Sequence, residues 1–403
     1  MAKALVVGGS LGGLFAANLL HRAGWHVLVC ERAGASLSGR GAGLVSHPAL
    51  FAALAAAGVD VDPREPHPDS DLGVFVPDRR VFSSDGAVVA QHAYPQVLAS
   101  WPRLYEVLRN ALPAHCYRHA ASCVRVETGD ADNANALAHF TDGSVERAEL
   151  IVAADGLRST IRAQLAPAAH PVYAGYVAWR GLVEETTLTP ATWAALGNTF
   201  GFGLPEGEQI LGYPVRVGAR RAYNFVWYRP ADDATLRAML SDASGRVHAE
   251  GIAPPLIRDE LIMSMRDAAQ RLLSPAFAEV VSRTEQPFFQ PISDLISERL
   301  VFGRTVLLGD AAFVARPHVG MGVTKAASDA MALVSGLSDM PDDIPTALAS
   351  YQRARVAAGC AVVERGRQLG AYMQAQIASV LEQNHARMFR SAQQVLAQTA
   401  VPW

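Results

Sequence analysis

The sequence predicts an α/β fold in which a Rossmann-like domain is interrupted by a β-rich domain and followed by a helical C-terminus. Three observations predict it. Residues 4–30 follow the pattern strand, glycine-rich turn, helix, strand of a βαβ unit. Residues 173–229 contain aromatic and β-branched runs separated by glycine and proline, which is typical of an antiparallel sheet. From residue 323 onward the pattern is mainly helical.

The chain has 403 residues, and 35 Lys and Arg against 38 Asp and Glu give a formal net charge of −3. At about 150 residues per domain this length allows two or three domains. Half of the residues are hydrophobic and 18% are charged, which excludes disorder as the main state. A near-neutral chain without a dense Lys/Arg block offers no face for nucleic acid, so we expect a small-molecule ligand.

We expect neither membrane insertion nor export. The longest apolar run, residues 49–57, is shorter than the roughly 18 residues that a bilayer-spanning helix needs. A strand-like run begins within three residues of Met1, which leaves no room for a signal peptide. The cysteines show no paired metal-ligand spacing and indicate the reducing cytoplasm and no metal site. They are Cys30, Cys116, Cys123 and Cys360.

The first elements are an apolar strand at residues 4–7 and a helix at residues 14–22, joined by a glycine-rich turn. In a dinucleotide site the first glycine makes the tight turn, the second lets the backbone approach the pyrophosphate, and the third lets helix pack on strand. Gly8 and Gly13 take the first and third places, whereas Ser10 holds the second.

Glu31 ends the next strand, residues 27–30, and lies 18 residues after Gly13. A carboxylate at this spacing accepts the ribose hydroxyls of a dinucleotide. A glycine turn alone also suits an ordinary strand-to-helix connection. Turn and carboxylate together predict a dinucleotide site.

A second apolar strand leads into an Asp155-Gly156 turn, and a helix capped near Ser159 follows, with Arg158 and Arg162 in its first turns. Taken alone, this segment also fits a simple turn with a salt bridge.

Residues 301–308 predict a further strand, which ends beside Asp310. Pro317 and residues 320–322 then lead into a helix at residues 323–337. An aspartate at a strand end beside a glycine-flanked helix N-terminus can bind a polyol and a phosphate together.

Strands of the β-rich part are expected at residues 176–181, 200–202, 210–213 and 223–228. A second helical region is expected at residues 345–398. Its apolar spacing fits a homodimer face and an intramolecular brace equally well.

The three motifs follow one another along most of the chain. They are residues 8–13, residues 155–162, and residues 309–312 with Gly-x-Gly downstream. The combination resembles the single-component FAD-dependent aromatic hydroxylases, which are group A flavoprotein monooxygenases of the para-hydroxybenzoate hydroxylase type. The closer likeness is to the hydroxypyridine hydroxylases of that family. It rests on residues 173–181, 213–214, 224–228 and 316–318.

The resemblance implies FAD as cofactor, NADH or NADPH as reductant, O₂ as co-substrate, and hydroxylation of a small electron-rich aromatic or heteroaromatic ring, such as a hydroxypyridine, through a flavin C4a-hydroperoxide. A urate- or phenol-type substrate remains open, and so does an FAD-dependent reductase or dehydrogenase without oxygen insertion. The implied segments are 1–70, 101–170 and 291–340 for FAD binding, 71–100 and 171–290 for the β-rich substrate domain, and 341–403 for the C-terminal helices.

The resemblance also places cofactor contacts in all three motifs. Glu31 is expected at the adenosine ribose, and Asp310 near the ribityl chain and pyrophosphate. Asp155 with Gly156 is expected near FAD and the nicotinamide route. Backbone N–H groups of residues 320–324 are expected at the N1/O2 edge of the flavin, where they favour the reduced anionic flavin. The expected cofactor residues are Gly8, Ser10, Leu11, Gly12, Gly13, Glu31, Arg32, Arg40, Gly43, Leu44, Val45, Arg103, Val124, Asp155, Gly156, Asp310, Gly320, Met321, Gly322, Val323 and Thr324.

The chain departs from the family pattern at several of these positions. Trp101 stands where an arginine often touches FAD, and Arg103 is expected to replace that arginine. Phe313, Met321 and Thr324 replace the usual His, Gln and Asn. Backbone contacts to FAD are unaffected by such changes.

His318 and Tyr213 are the catalytic candidates, although His318 also fits a surface loop. Alternate residues of a strand share one face, which groups Gln209 and Leu211 with Tyr213. These aromatic and polar residues also fit a plain sheet core, and His47 also fits a cap of the helix that begins at Pro48. The expected substrate contacts are Gln209, Leu211, Asn224, Tyr228, His47 and Pro317.

Overall fold

The computed structural model describes residues 2–37, 43–62, 71–129, 135–218, 220–374, 386, 388 and 390–402, which form three β-sheets and the helices around them. The helices are α1 (Leu11–Arg22), α2 (Pro48–Ala56), α3 (Trp101–Ala111), α4 (Thr160–Leu165), α5 (Pro190–Leu196), α6 (Asp233–Met239), α7 (Asp259–Leu272), α8 (Pro275–Arg283), α9 (Gly322–Asp339), α10 (Ile344–Gly370) and α11 (Ala392–Gln398). None of the described helices is long and apolar enough to cross a bilayer.

The first sheet is parallel except at one edge. From edge to edge its strands are β16 (Val301–Phe302), β17 (Thr305–Leu307), β10 (Leu150–Ala153), β1 (Lys3–Val7), β2 (His26–Cys30) and β6 (Tyr117–Arg118). Only β16 runs antiparallel to its neighbour, β17. The carboxyl ends of the other five strands therefore meet at one edge of the sheet.

The second sheet has nine strands, and all its pairs are antiparallel except β12 with β4. In order they are β18 (Phe313–Val314), β15 (Phe288–Ile296), β11 (Val172–Glu184), β14 (Arg220–Pro230), β13 (Gln209–Val217), β12 (Phe200–Gly203), β4 (Gly73–Phe82), β5 (Val88–Ser100) and β3 (Gly43–Val45). Alternate residues of β14 enter two different apolar cores: Phe225 and Trp227 face one, and Val226 and Tyr228 face the other. Both faces of this sheet are therefore covered.

A small third sheet consists of β7 (Cys123–Glu127), β8 (Ala136–Phe140) and β9 (Val145–Ala148). It shares a core with the parallel sheet, and α1, α9 and α10 contribute to the same core. The parallel sheet, the largely antiparallel sheet and the C-terminal helices agree with the α/β class expected from the sequence.

The structure corrects one local expectation and adds detail to two others. The single strand predicted at residues 301–308 is a hairpin, because Gly303 has a φ of +57° and turns the chain between β16 and β17. The β-rich part also contains α7 and α8, whose buried residues pack against the second sheet. The helical region expected at residues 345–398 contains α10, which ends at Gly370, and α11; glycine is a poor helix former.

Candidate active site

The carboxyl ends of the parallel strands border two cavities of about 400 and 500 Å³, called here the small and the large cavity. Ser10, Trp101, Ala154 and Gly156 line both, so the two adjoin. Volumes of this size are typical of ligand sites, and open parallel sheets bind ligands at this edge.

The glycine-rich turn after β1 frames both cavities. Gly8 has a φ of +104°, and a Cβ at Gly13 would lie 1.9 Å from the Gly8 carbonyl oxygen. Ser10 precedes α1 without a side-chain capping bond, and Leu11 and Gly12 line the large cavity. The N-terminal N–H groups of α1 therefore face the site, as a pyrophosphate requires.

Glu31 lies at the small cavity together with Arg32. Its Oε2 accepts from the Gly9 N–H (2.8 Å) and its Oε1 from the Ala33 N–H (2.9 Å). These bonds fix the carboxylate, and each oxygen keeps a lone pair for a further donor such as a ribose hydroxyl.

Asp155 also lines the small cavity, and Gly156 lines both cavities. The Ile161 N–H donates to Asp155 Oδ2 (3.3 Å), whereas Asp155 Oδ1 is buried and has no partner among the described residues. Burial raises the pKa of Asp155. Gly156 has a φ of +82°, and a Cβ there would meet open space, so ligand atoms can approach its backbone.

Arg162 connects the Asp155 motif to the Asp310 motif, a role that the sequence did not predict for it. Arg162 is buried and donates to the carbonyl oxygens of Leu157 (2.6 Å), Ala169 (3.1 Å) and Ala311 (3.2 Å). Ala311 belongs to the Gly-Asp-Ala-Ala segment. Arg162 thereby holds the two loops in register.

Asp310 lines the large cavity, and its exposed surface faces that cavity. Burial raises its pKa, the charge of Lys325 opposes that effect, and Asp329 adds to it. Asp329 is itself buried in α9, where it binds Arg355 Nε (2.7 Å) and accepts from the Gly309 N–H (3.2 Å). Asp329 therefore supports the turn that presents Asp310.

The N-terminus of α9 faces the large cavity. Gly320, Gly322 and Val323 line it, whereas Met321 and Thr324 are not among its lining residues. Gly320 has a φ of +63°, and its conformation exposes the first N–H groups of the helix.

Of the expected flavin-edge loop, Arg40 lies outside the described residues. Gly43–Val45 forms β3 and lines the large cavity. The Gly43 N–H donates to Asn224 Oδ1 (3.1 Å), and a Cβ at Gly43 would lie 2.4 Å from the Tyr213 ring. The absence of a side chain at Gly43 therefore lets β3, the edge strand of the second sheet, pack against Tyr213 at the cavity.

The expectation for Arg103 disagrees with its position. Arg103 pairs with Asp71 and with Glu106 (2.8 Å) and is not among the residues that line either cavity. Trp101 lines both, because α3 begins there and turns Arg103 outward. Val124 is exposed and likewise lines neither cavity, although the three residues before it line the small one.

Four of the eight residues proposed for substrate and catalysis line the large cavity. They are Leu211, Tyr213, Tyr228 and Pro317. The other four, Gln209, Asn224, His47 and His318, are buried nearby without lining it. Gln209 Oε1 accepts from the Tyr372 hydroxyl, and Asn224 supports Gly43, so both hold the wall of the cavity.

His318 is 1% exposed, so the interpretation as a surface-loop residue was wrong. Its Nε2 lies 2.8 Å from the Tyr176 hydroxyl, and its Nδ1 has no partner in the described part of the chain. Burial, and then the charge of Arg316, lower the pKa of His318 to about 3. The imidazole is therefore neutral at neutral pH.

His47 occupies the N-cap position of α2 but makes no side-chain capping bond, so a capping role was also a wrong interpretation. Its Nδ1 lies 3.0 Å from Thr324 Oγ1 and its Nε2 3.4 Å from the Ala400 carbonyl oxygen. Burial lowers the pKa of His47 to about 4. The ring joins α9 to the C-terminal segment.

These two histidines should make the protein less stable in acid. In the folded protein both imidazoles stay neutral, whereas in the unfolded chain each takes up a proton once the pH falls below its pKa of 6.5. The unfolded state therefore gains protons, and is stabilised, as the pH falls from 6.5 towards 4. At pH 5 each of these histidines lowers the free energy of unfolding by about 2 kcal/mol. We expect His318→Gln to reduce the loss of stability between pH 7.5 and pH 5 by about 2 kcal/mol, measured by urea unfolding.

His170→Gln is the control, because His170 is exposed. An unchanged difference between the two pH values in His318→Gln would show that His318 does not titrate in this way.

Several residues that line the large cavity were not among the expected site residues. Arg180, Phe200 and Phe288 come from the second sheet, and Thr399 and Ala400 from the C-terminal segment. The alternation along β11 and β14 marks the strand faces, but only the pairing of distant strands shows which face meets the cavity.

The donor set fits FAD. Two helix N-termini, of α1 and α9, and backbone without side chains at Gly12, Gly156 and Gly322 suit the pyrophosphate and the flavin edge. The fixed carboxylate of Glu31 suits a ribose.

Comparisons with known proteins agree with this assignment. The family model described as FAD binding domain-like matches residues 173–294. The chain is 29% identical to 2,6-dihydroxypyridine 3-monooxygenase of Paenarthrobacter nicotinovorans, over 92% of this chain and 91% of that protein. It is 30% identical to FAD-dependent urate hydroxylase of Klebsiella oxytoca, over 88% of this chain and 85% of that protein.

The structure is similar to that of 2,6-dihydroxypyridine-3-hydroxylase from Arthrobacter nicotinovorans, with a TM-score of 0.85, 26% identity and 93% of each chain covered. A variant of Klebsiella pneumoniae HpxO complexed with FAD shares the fold, with a TM-score of 0.77, 22% identity and 99% of each chain covered. The predicted fold class, the FAD cofactor and the likeness to hydroxypyridine hydroxylases are thus confirmed. The chain belongs to the FAD-dependent aromatic hydroxylases.

Proposed function

We propose that the protein hydroxylates a small electron-rich aromatic or heteroaromatic ring, in the first place a hydroxypyridine, with NADH or NADPH and O₂. The observation that carries the proposal is the aromatic end of the large cavity. Phe200, Tyr213 and Tyr228 lie on three neighbouring strands of the second sheet and line this end together with Leu211 and Val226. Apolar and aromatic walls of this kind suit a flat ring and exclude water.

FAD, when bound, supplies the transfer of reducing equivalents from NAD(P)H and the activation of O₂. The chain itself binds and orients the two ligands. The N-termini of α1 and α9 hold the anionic parts of the cofactor, and Asp310 and Glu31 accept from its hydroxyls. Residues of β3 would border the flavin edge, and the aromatic wall would border the substrate ring.

The phenols of the cavity act as hydrogen-bond donors rather than as bases. Burial raises the pKa of Tyr228 to about 12, and it raises the pKa of Tyr213 further. The nearby imidazoles of His47 and His318 are neutral. Since a hydroxyl ortho or para to the attacked carbon activates a ring when it ionises, the substrate's own acidity provides that activation.

The names of the relatives support a hydroxylated nitrogen heterocycle or a hydroxylated benzoate. They include 6-hydroxynicotinate 3-monooxygenase of Bordetella bronchiseptica and 3-amino-4-hydroxybenzoate 2-monooxygenase of Streptomyces cremeus. A urate-type substrate is the second candidate, because the relatives also include FAD-dependent urate hydroxylases. The individual site residues, the domain boundaries, the cytoplasmic location and a homodimer stay predictions.

The test is a panel of hydroxypyridines, hydroxybenzoates, phenols and urate, scored by stimulated NADH and NADPH oxidation. Product mass is measured under ¹⁸O₂. We expect a hydroxypyridine to stimulate NAD(P)H oxidation most and to gain one labelled oxygen atom. NAD(P)H oxidation without any labelled product would favour an FAD-dependent reductase instead.

A further inference from the structure

Arg180 lies in the middle of β11, between β14 and β15. Its register partners are Val226 and Phe288. Tyr228 and Gln290 lie two residues further along β14 and β15. Because alternate residues of a strand share a face, the two register partners and these two residues surround Arg180 on one face of the sheet. This face lines the large cavity at its aromatic end.

The guanidinium of Arg180 has no partner among the residues that the structure describes. Within the described part of the chain it makes no hydrogen bond or ion pair, and its Nε is buried without a partner. The other buried arginines differ: Arg162 donates to three carbonyl oxygens, and Arg316 pairs with Asp294 (3.0 Å). A half-buried charge without a partner costs free energy in the unliganded protein, which is typical of a group that binds a ligand.

The surroundings favour an anion over a neutral group. Arg316 also lines the large cavity, and its partner Asp294 is shared with Arg367 (2.7 Å). Glu364 also lies 3.8 Å from Arg367, so two carboxylates balance these two guanidiniums. Arg180 adds a positive charge to the cavity wall that pairs with no carboxylate in the described part of the chain. Tyr213 and Tyr228 face Arg180 as neutral phenols, so they supply hydrogen bonds but no compensating charge.

We propose that Arg180 is a specificity-determining residue that binds an anionic oxygen on the aromatic substrate, either a ring oxyanion or a ring carboxylate. The proposal rests on the function proposed above and names the chemistry that the site selects. A planar guanidinium suits a planar anion in two parallel hydrogen bonds. The side-chain oxygen of Gln209, another expected substrate contact, already accepts a hydrogen bond from the Tyr372 hydroxyl.

The experiment compares oxidised, FAD-loaded wild type with Arg180→Gln and Arg180→Lys. Dissociation constants are measured from the change in the flavin absorbance spectrum, without NAD(P)H. The carboxylate arm uses 6-hydroxynicotinate and its neutral amide, 6-hydroxynicotinamide. The oxyanion arm uses 2,6-dihydroxypyridine and its neutral ether, 2,6-dimethoxypyridine. The arm in which wild type prefers the anion identifies the source of the negative charge.

We expect Arg180→Gln to weaken binding of the preferred anion by about 10- to 100-fold and to leave the neutral ligand of the same arm nearly unchanged. Arg180→Lys should recover part of the loss, because lysine keeps the positive charge but lacks the two parallel N–H donors of a guanidinium. The matched control is Arg216→Gln, since Arg216 is exposed on β13 of the same sheet. Its binding constants should equal those of wild type.

Stability gives a second readout. Because Arg180 has no partner in the described ranges, Arg180→Gln should keep its FAD and have an unchanged or higher Tm, whereas loss of a structural arginine lowers Tm. The proposal is overturned if Arg180→Gln lowers Tm, if it weakens neutral and anionic ligands alike, or if wild type prefers neither anion. Ring compounds that bind and turn over would then leave the proposed function intact; if no ring compound binds or is hydroxylated by wild type, both proposals fail.

Discussion

Replacing Gly13 by alanine is expected to abolish FAD binding. A Cβ at this position would lie 1.9 Å from the Gly8 carbonyl oxygen and 3.3 Å from Val6 Cγ1. The first distance is far below any van der Waals contact, and the backbone of Gly8 cannot yield, because its φ of +104° and its N–H bond to β2 (2.9 Å) fix the turn. Helix α1 must therefore move away from β1.

The measurement is the flavin-to-protein ratio after purification and again after incubation with excess FAD. Far-UV circular dichroism shows whether the variant still folds. Gly34→Ala is the matched control, since Gly34 lies in the loop after β2 and a Cβ there would meet nothing within 4 Å. Full flavin occupancy in Gly13→Ala would mean that α1 does not pack against the turn after β1 at Gly13.

The cofactor half of the site could be predicted because its signals are local. A turn that needs Gly8 and Gly13, and an acid at the end of the next strand, are properties of a short segment, and β1, α1 and β2 formed where expected. The turn at Asp155 and the helix after Ser159 were predictable for the same reason, since Ser159 accepts from the Arg162 N–H (2.8 Å).

The substrate half could be predicted only in part because its contacts join distant segments. Tyr213 and Tyr228 follow from strand alternation, which is local. Arg180 is an ordinary strand residue in the sequence, and only the pairing of β11 with β14 and β15 turns it towards the cavity. His318 and His47 were predicted near the substrate, but both are buried. His47 lies against α9 and the C-terminal segment, whereas the His318 ring packs against Tyr176 and Tyr228 of the second sheet.

Replacing Arg79 by methionine is expected to release the C-terminal segment from the active site and to uncouple NAD(P)H oxidation from hydroxylation. Arg79 is fully buried in β4, and burial lowers its pKa only to about 10, so it stays charged at neutral pH. It donates to the carbonyl oxygens of Leu396 (3.3 Å), Thr399 (2.6 Å) and Ala400 (3.0 Å). Gln96 Oε1 accepts its Nε–H (2.8 Å).

These bonds matter for the reaction because Thr399 and Ala400 form part of the wall of the large cavity. Ala400 has a φ of +54°, which is strained for a residue other than glycine, and its N–H donates to the His318 carbonyl oxygen (2.7 Å). Without Arg79, the carbonyl oxygens lose their donor at about 1–3 kcal/mol each while buried. The segment regains hydrogen bonds to water by leaving, and water then enters the cavity.

Two measurements test this expectation on the FAD-loaded enzyme: amide hydrogen exchange of residues 396–402, and the ratio of hydroxylated product to NAD(P)H consumed. Arg79→Met should speed the exchange and lower the ratio, while the flavin content stays near that of wild type because the FAD motifs do not contact Arg79. Arg80→Met is the matched control, since Arg80 on the same strand is half-buried and pairs with Asp78 (2.8 Å) instead of with the C-terminal segment. Equal exchange in all three proteins would show that Arg79 does not hold the segment, and faster exchange with full coupling would show that the segment does not exclude water from the reaction.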